Sequence, residues 1–127
     1  MSHEGYHEPV ALLSQSTIDL HRALISLQEE LEAIDWYQQR ADACKDESLK
    51  SVMLHNRNEE VEHAMMTLEW IRRNDPKFDE NAKLYLFKTV PILEIEEQEK
   101  LKAGGGTPGA EAPAVQGSLG IGSLRSL

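Results

Sequence analysis

Apolar residues recur through most of this chain at steps of three and four. From Leu20 the series runs Leu20, Leu24, Leu27, Leu31 and Ile34, stepping 4, 3, 4 and 3, and it persists to about Ala41. That spacing makes one stripe of an α-helix that packs against a partner helix. Pro9 suits a first helical position, and Ser16 with Asp19 resembles a capping box. Cys44, Lys45 and Asp46 form a short polar break, after which a second helix is predicted from about Glu47 to Asn74. Asn74-Asp75-Pro76 stops it, because the residue before a proline is pushed out of helical geometry. Two helices of roughly 40 Å joined by so short a link must fold back as an antiparallel hairpin. A third, weaker helix is expected from about Phe78 to Leu101, kinked or interrupted near Pro91.

The pattern stops near Lys102. Seven of the eight glycines lie from Gly104 onward, with Pro108 and Pro113 among them, so the chain divides into a helical domain over 1–102, a flexible linker over 103–116 and a terminal segment over 117–127. The fold class is therefore all-α with a disordered C-terminal tail. In that tail Leu119, Ile121 and Leu124 recur between small residues, and such a segment either docks as an extended peptide on a partner or hangs free.

Composition narrows the function. The 127 residues suffice for one small domain, and no apolar run approaches the roughly 18 residues of a spanning helix. The first nine residues show neither a basic start nor an apolar stretch, so no leader is expected and the chain is read as cytoplasmic. A single cysteine excludes an internal disulfide and a cysteine-built zinc cage. Thirteen basic against 22 acidic residues give a net charge of −9, which argues against nucleic acid and anionic membranes and suits cations.

The hairpin alone leaves apolar residues over. Leu54, Val61, Met65 and Leu68 form a line about 120° round the second helix from its main ladder, and Ile18, Ile25 and Trp36 lie off the seam of the first. Such surplus implies contacts between subunits and an obligate oligomer.

The ladder of the second helix, Leu49, Met53, Asn56, Glu60, His63, Thr67 and Trp70, is apolar at its ends and polar in its middle. A carboxylate where the pattern demands leucine is costly unless paired or bound to metal. Glu60 and His63, three apart, present a carboxylate and an imidazole on one helix face. On the first helix Glu30 lies on the heptad series Ala23, Glu30, Tyr37, so antiparallel pairing can bring it beside them. One Glu plus one Glu-x-x-His is half the ligand set of a di-iron carboxylate bundle. Two chains meeting on a two-fold axis complete it, with four carboxylates and two imidazoles. These donors suit iron, and also manganese or zinc. The competing reading makes Glu60 solvent-facing and His63 a satisfied core histidine.

Other residues leave alternatives open. Glu29, Glu32 and Trp36 cluster on the far face of the first helix, as a weaker cation site or as a solvated acidic face beside a subunit contact. Tyr37 either hydrogen-bonds a metal ligand or packs. His55 and Glu62 read as surface, Met53, Met65 and Met66 as packing, and Cys44 as incidental.

The run HNRNEEVEHAMMTLEWIRRNDP (His55 to Pro76), preceded by EELEAIDWYQQR (Glu29 to Arg40), resembles the encapsulated ferritins over about Glu8 to Glu97. GSLGIGSLR (Gly117 to Arg125) resembles the cargo-loading peptide of encapsulin systems. The resemblance implies a ferritin-like antiparallel two-helix hairpin plus a shorter C-terminal helix, forming four-helix-bundle-like sites by dimerisation. It also implies a ring of five dimers inside an encapsulin shell, reached through Leu119, Ile121 and Leu124. By the same resemblance Glu30, Glu60 and His63 are ligands of a di-iron ferroxidase centre with Tyr37 adjacent, and Glu29 and Glu32 near Trp36 form a metal-uptake site. The implied activity is oxidation of Fe(II) to Fe(III) for storage in the shell. The rival is a non-catalytic, metal-binding helical cargo or scaffold protein.

Overall fold

The computed structural model describes residues 5–105. A 3-10 turn at Val10–Leu12 leads into α1 (Gln15–Ala43), followed by α2 (Glu47–Asn74), α3 (Pro76–Tyr85) and α4 (Ile92–Gly105). The chain is all-α, and it divides into two units: the α1–α2 hairpin up to Asn74, and α3 with α4 from Asp75 onward. Among the described residues no helix is long and apolar enough to cross a membrane.

Local chemistry sets each boundary. Pro9 opens the 3-10 turn rather than α1. Ser14, not Ser16, caps α1: its backbone is extended and its Oγ accepts the Thr17 N–H at 3.1 Å. Asp19, expected to complete a capping box with Ser16, instead accepts from Gln15 and Arg22 at 3.1 and 2.9 Å. Cys44 leaves α1 in extended conformation, and Asp46 starts α2 by accepting the Leu49 N–H on Oδ2 at 2.8 Å. Asp75 caps α3 twice, accepting from the Lys77 and Phe78 N–H groups at 2.9 and 3.2 Å, with Pro76 in the first turn where its missing N–H costs nothing.

The expected third helix is interrupted before Pro91, as anticipated, and the break is long enough to make two helices. α3 stops at Tyr85, well before Pro91; Leu86 is extended, and Phe87 has φ 61°, a left-handed conformation costly for a bulky residue. Lys88 Nζ donates to the Lys83 carbonyl at 2.7 Å, satisfying a helix-end acceptor. α4 begins directly after Pro91, whose carbonyl accepts from Glu94 N–H at 2.9 Å. It runs to Gly105 rather than ending at Leu101, so its last turn enters the stretch expected to be linker. The rest of that linker and the terminal segment 117–127 lie outside the described residues.

The seam of α1 follows the expected line except at Leu31, and that of α2 is rotated from the expected ladder. Ala64 and Ile71 are fully buried on α2, Ala41 nearly so on α1, while Leu31, Leu49 and Trp70 are 52%, 45% and 41% exposed. The less exposed line on α2 passes through Met53, Arg57, Glu60, Ala64, Leu68 and Ile71. On α1 it passes through Leu20, Leu24, Leu27, Glu30, Ile34, Tyr37 and Ala41. Alanines fill the interior where two long helices approach closely. Larger apolar side chains, Leu31, Trp36, Leu49, Val52, Met65, Met66 and Trp70 among them, stay on the outside of the single chain.

Candidate metal centre

Both lines of the hairpin change character at the same height. Glu30 lies 13 residues before the end of α1, and Glu60 lies 13 residues after the start of α2, so the two are level along the antiparallel pair. Neither is a solvated surface residue. Glu30 is half-buried, and its Oε1 is shut off from solvent with no hydrogen-bond partner. Glu60 keeps 26% of its side chain exposed and sets Oε1 3.6 Å from Nδ1 of His63, which is 44% exposed. At 3.6 Å the contact is too long for a directed hydrogen bond.

Helix geometry accounts for the Glu60–His63 pair, since residues three apart lie one above the other on the same face. Thr67, the next polar position, is used locally: its hydroxyl donates to the His63 carbonyl at 3.1 Å. Its role is back-bonding within the helix. Glu30 does not join the pair tightly enough to complete a site: among the described residues of one chain, no three His, Cys, Asp or Glu gather around a point that would hold a metal.

The remaining residues are placed as follows. Tyr37 is half-buried two turns beyond Glu30, and Trp36 is 47% exposed. Arg40 lies over both rings, 5.8 Å from the Trp36 centroid and 5.5 Å from that of Tyr37. Glu29 and Glu32 are both exposed on the outer side of α1. His55 is 3.8 Å from Glu59, on the surface as expected.

One residue of the interior is not marked by the apolar pattern. Arg57 stands on the inner line of α2, half-buried, with Nη1 donating to Asn58 Oδ1 at 3.0 Å. Its Nε is buried without a partner, as Glu30 Oε1 is. Its only signal in the sequence is a charge next to Asn56 of the expected ladder.

A second carboxylate of α2 behaves differently. Glu69 accepts from Arg72 Nε and Nη2 at 2.9 and 2.8 Å and from Arg73 Nε at 2.7 Å. The Arg72 and then the Arg73 hydrogen bonds hold its carboxyl down from 4.5 to about 2. Glu69 is a finished ion cluster. Glu30 has a buried oxygen without a hydrogen-bond partner, and the Glu60 and His63 side chains meet only each other, at 3.6 Å, among the contacts of the described residues.

A family model described as EncFtn-like matches residues 5–89. The chain is 49% identical over 126 residues to an encapsulated ferritin-like protein of Rhodospirillum rubrum, covering 98% of this chain and 90% of that one. It is 53% identical over 95 residues to a ferritin-like protein of Thermotoga maritima, covering 75% and 83%. It is 34% identical over 104 residues to an encapsulin nanocompartment cargo protein of Myxococcus xanthus, covering 80% of each. A crystal structure of a protein from Nitrosomonas europaea, 61% identical, superposes with a TM-score of 0.67 over 69% of this chain and 97% of that one.

Proposed function

Since the chain belongs to the EncFtn-like family of encapsulated ferritin-like proteins, we propose that it is a ferroxidase, oxidising Fe(II) to Fe(III) at a centre shared by two subunits and delivering the product for storage inside an encapsulin shell. The observation that carries this reading is the buried, unpartnered Oε1 of Glu30 level with the Glu60–His63 pair. A buried carboxylate oxygen without a donor is costly, and a divalent cation removes that cost. One chain holds half of a two-metal set, and a second copy across a two-fold axis supplies the other half. The apolar side chains left outside the hairpin, Leu31, Trp36, Met65 and Met66 among them, are the surface such copies would bury.

In this centre Glu30 and Glu60 of each copy would hold the substrate iron through their carboxylates, with His63 as the nitrogen donor. The two Fe(II) ions of one centre would together supply two electrons to one O2, which takes up two protons and leaves at the level of hydrogen peroxide, while both irons leave as Fe(III). Carboxylates favour the Fe(III) product, being hard anionic donors. Tyr37 stands beside the centre as a hydrogen-bonding neighbour of a ligand. Glu29 and Glu32, exposed near Trp36, concentrate Fe(II) on the way in.

The segment 117–127 is the address. Its apolar residues Leu119, Ile121 and Leu124 dock on the inner surface of an encapsulin shell, with the linker as tether. The relative from Myxococcus xanthus is named as an encapsulin cargo, and the alignment with that of Rhodospirillum rubrum spans 98% of this chain, which supports a common destination. The working form is then a homo-oligomer of dimers, in the cytoplasm within a shell.

Oxygen uptake on adding Fe(II) to the purified full-length chain tests the activity. Stoichiometric uptake that disappears in Glu60→Ala is the expected result. Fe(II) binding with no oxygen uptake would favour the rival reading, a metal-binding cargo or scaffold without catalysis.

A further inference from the structure

Two side-chain atoms of the described residues are buried without a partner, Oε1 of Glu30 and Nε of Arg57. One belongs to an anion and the other to a side chain that is always cationic. Both residues stand on the facing inner lines of the hairpin. Arg57 lies 10 residues after the start of α2, level with Ala33 of α1, which is three residues from Glu30 and about 4.5 Å along the axis. Arginine has a long flexible stem and five donors in a fixed fork, so the end of Arg57 covers that offset by side-chain rotation alone. The contact it would leave, Nη1 to the exposed Asn58, is a surface hydrogen bond between adjacent residues.

We infer that Arg57 is a positioning residue for Glu30, the internal cation that holds this carboxylate when no divalent ion is bound and gives it up when one arrives. The inference rests on the reading of Glu30 as a metal ligand. It answers a problem which that reading creates. Four carboxylates gathered at one subunit contact repel one another in the metal-free protein, and each buried charge needs an opposite charge or several hydrogen bonds. His63 faces Glu60 at 3.6 Å, but Glu30 has no such neighbour among the groups already described. Arg57, on the same inner line as Glu60 and one turn before it, supplies the charge from inside the hairpin. Because Glu30 must leave Arg57 to reach a metal, the pair stabilises the empty protein and opposes metal binding at the same time.

Those opposite signs make the test. With chelator present and at one protein concentration, thermal melting is compared for the wild type, Arg57→Met, Glu30→Met and the double variant. Each single change strands one charge and should lower the melting temperature by about 5 °C. The double variant replaces both partners by apolar chains of similar length and should melt above either single one. A single variant that fails to fold while the double folds is the same result in stronger form. Losses that simply add, or a double variant that is the least stable of the four, would overturn the pairing.

Calorimetric titration with Zn(II), which is redox-inert, gives the second readout. Arg57→Met should bind Zn(II) several-fold more tightly than the wild type, with Arg57→Lys between them. Unchanged or weaker binding in Arg57→Met would overturn the inference. Full Zn(II) affinity in Glu30→Met would instead overturn the role of Glu30 as a ligand, and a double variant more stable than the singles would still support the pair.

Discussion

Glu60 and Glu69 sit on the same helix about two and a half turns apart, and they differ in what surrounds them. Glu69 has two arginines within one turn, accepts three charge-assisted hydrogen bonds and needs nothing more. Glu60 has a single imidazole at 3.6 Å and stands level with a second carboxylate that has a buried, unpartnered oxygen. Composition does not separate the two, since both lie in acidic and basic runs. Satisfaction separates them. A carboxylate whose hydrogen bonds are all made supports the helix, whereas one held half-buried and short of donors is the kind proposed above as a metal ligand.

The largest expected effect comes from breaking the unsatisfied side of that contrast. Glu60→Ala or His63→Ala should lower the Fe(II) oxidation rate by about 100-fold or more, since even the outer partners of metal ligands are worth about 10- to 100-fold. Glu69→Gln should stay within about twofold of the wild type. Circular dichroism should show helix retained in all three, and near wild-type oxidation in both ligand variants would remove the distinction.

A second experiment asks whether the contrast is complete within the described helices. Truncation after Gly105, which spares α4, should leave oxidation and oligomer unchanged while co-purification with an encapsulin shell falls to background. Replacing Leu119, Ile121 and Leu124 by serine should reproduce that loss. Loading that survives truncation, or oxidation that falls with it, would show that the segment is not a separable address.

Assembly should respond to metal more modestly. A divalent ion bound only by the assembled form, at about 100 times its Kd, stabilises that form by about 2.7 kcal/mol per site. Size-exclusion profiles at low protein concentration should therefore shift toward the larger species with Fe(II) and back with chelator. Identical profiles would count against a shared site.

The smallest effect belongs to Glu69. Its carboxyl is held at about 2 in the folded chain, below its ordinary 4.5. Stability from this group is therefore full above pH 4.5 and is lost as pH falls toward 2. The melting difference between the wild type and Glu69→Gln should be largest at neutral pH and shrink as pH falls through about 2. A difference that grows as pH falls would contradict this sign.

Much of this arrangement was readable from the residues. The ends of α2, the tight link after α1 and the stop at Asp75-Pro76 rest on local chemistry, which a sequence displays directly. So does the Glu60–His63 pair, because i, i+3 spacing on a helix fixes a shared face. The seam was harder. Counting large apolar residues selected Leu49 and Trp70, which stay on the outer surface of the single chain, and passed over Ala64, whose small size lets the helices approach. The expected ladder passes through Asn56, so its neighbour Arg57 was not among the interior candidates. The interruption near Pro91 was legible, but its start at Leu86 was not, because Leu86, Phe87 and Val90 are apolar and a left-handed Phe87 has no signature in composition. Ser14 and Ser16 are equally good caps on paper, and backbone geometry chose Ser14.

The shared centre is tested most directly by a crystal of the Fe(II)-loaded protein measured at the iron absorption edge. The expected anomalous map places two peaks between two copies, each flanked by Glu30, Glu60 and His63. Peaks confined to Glu29 and Glu32, or a centre whose ligands all come from one chain, would contradict it.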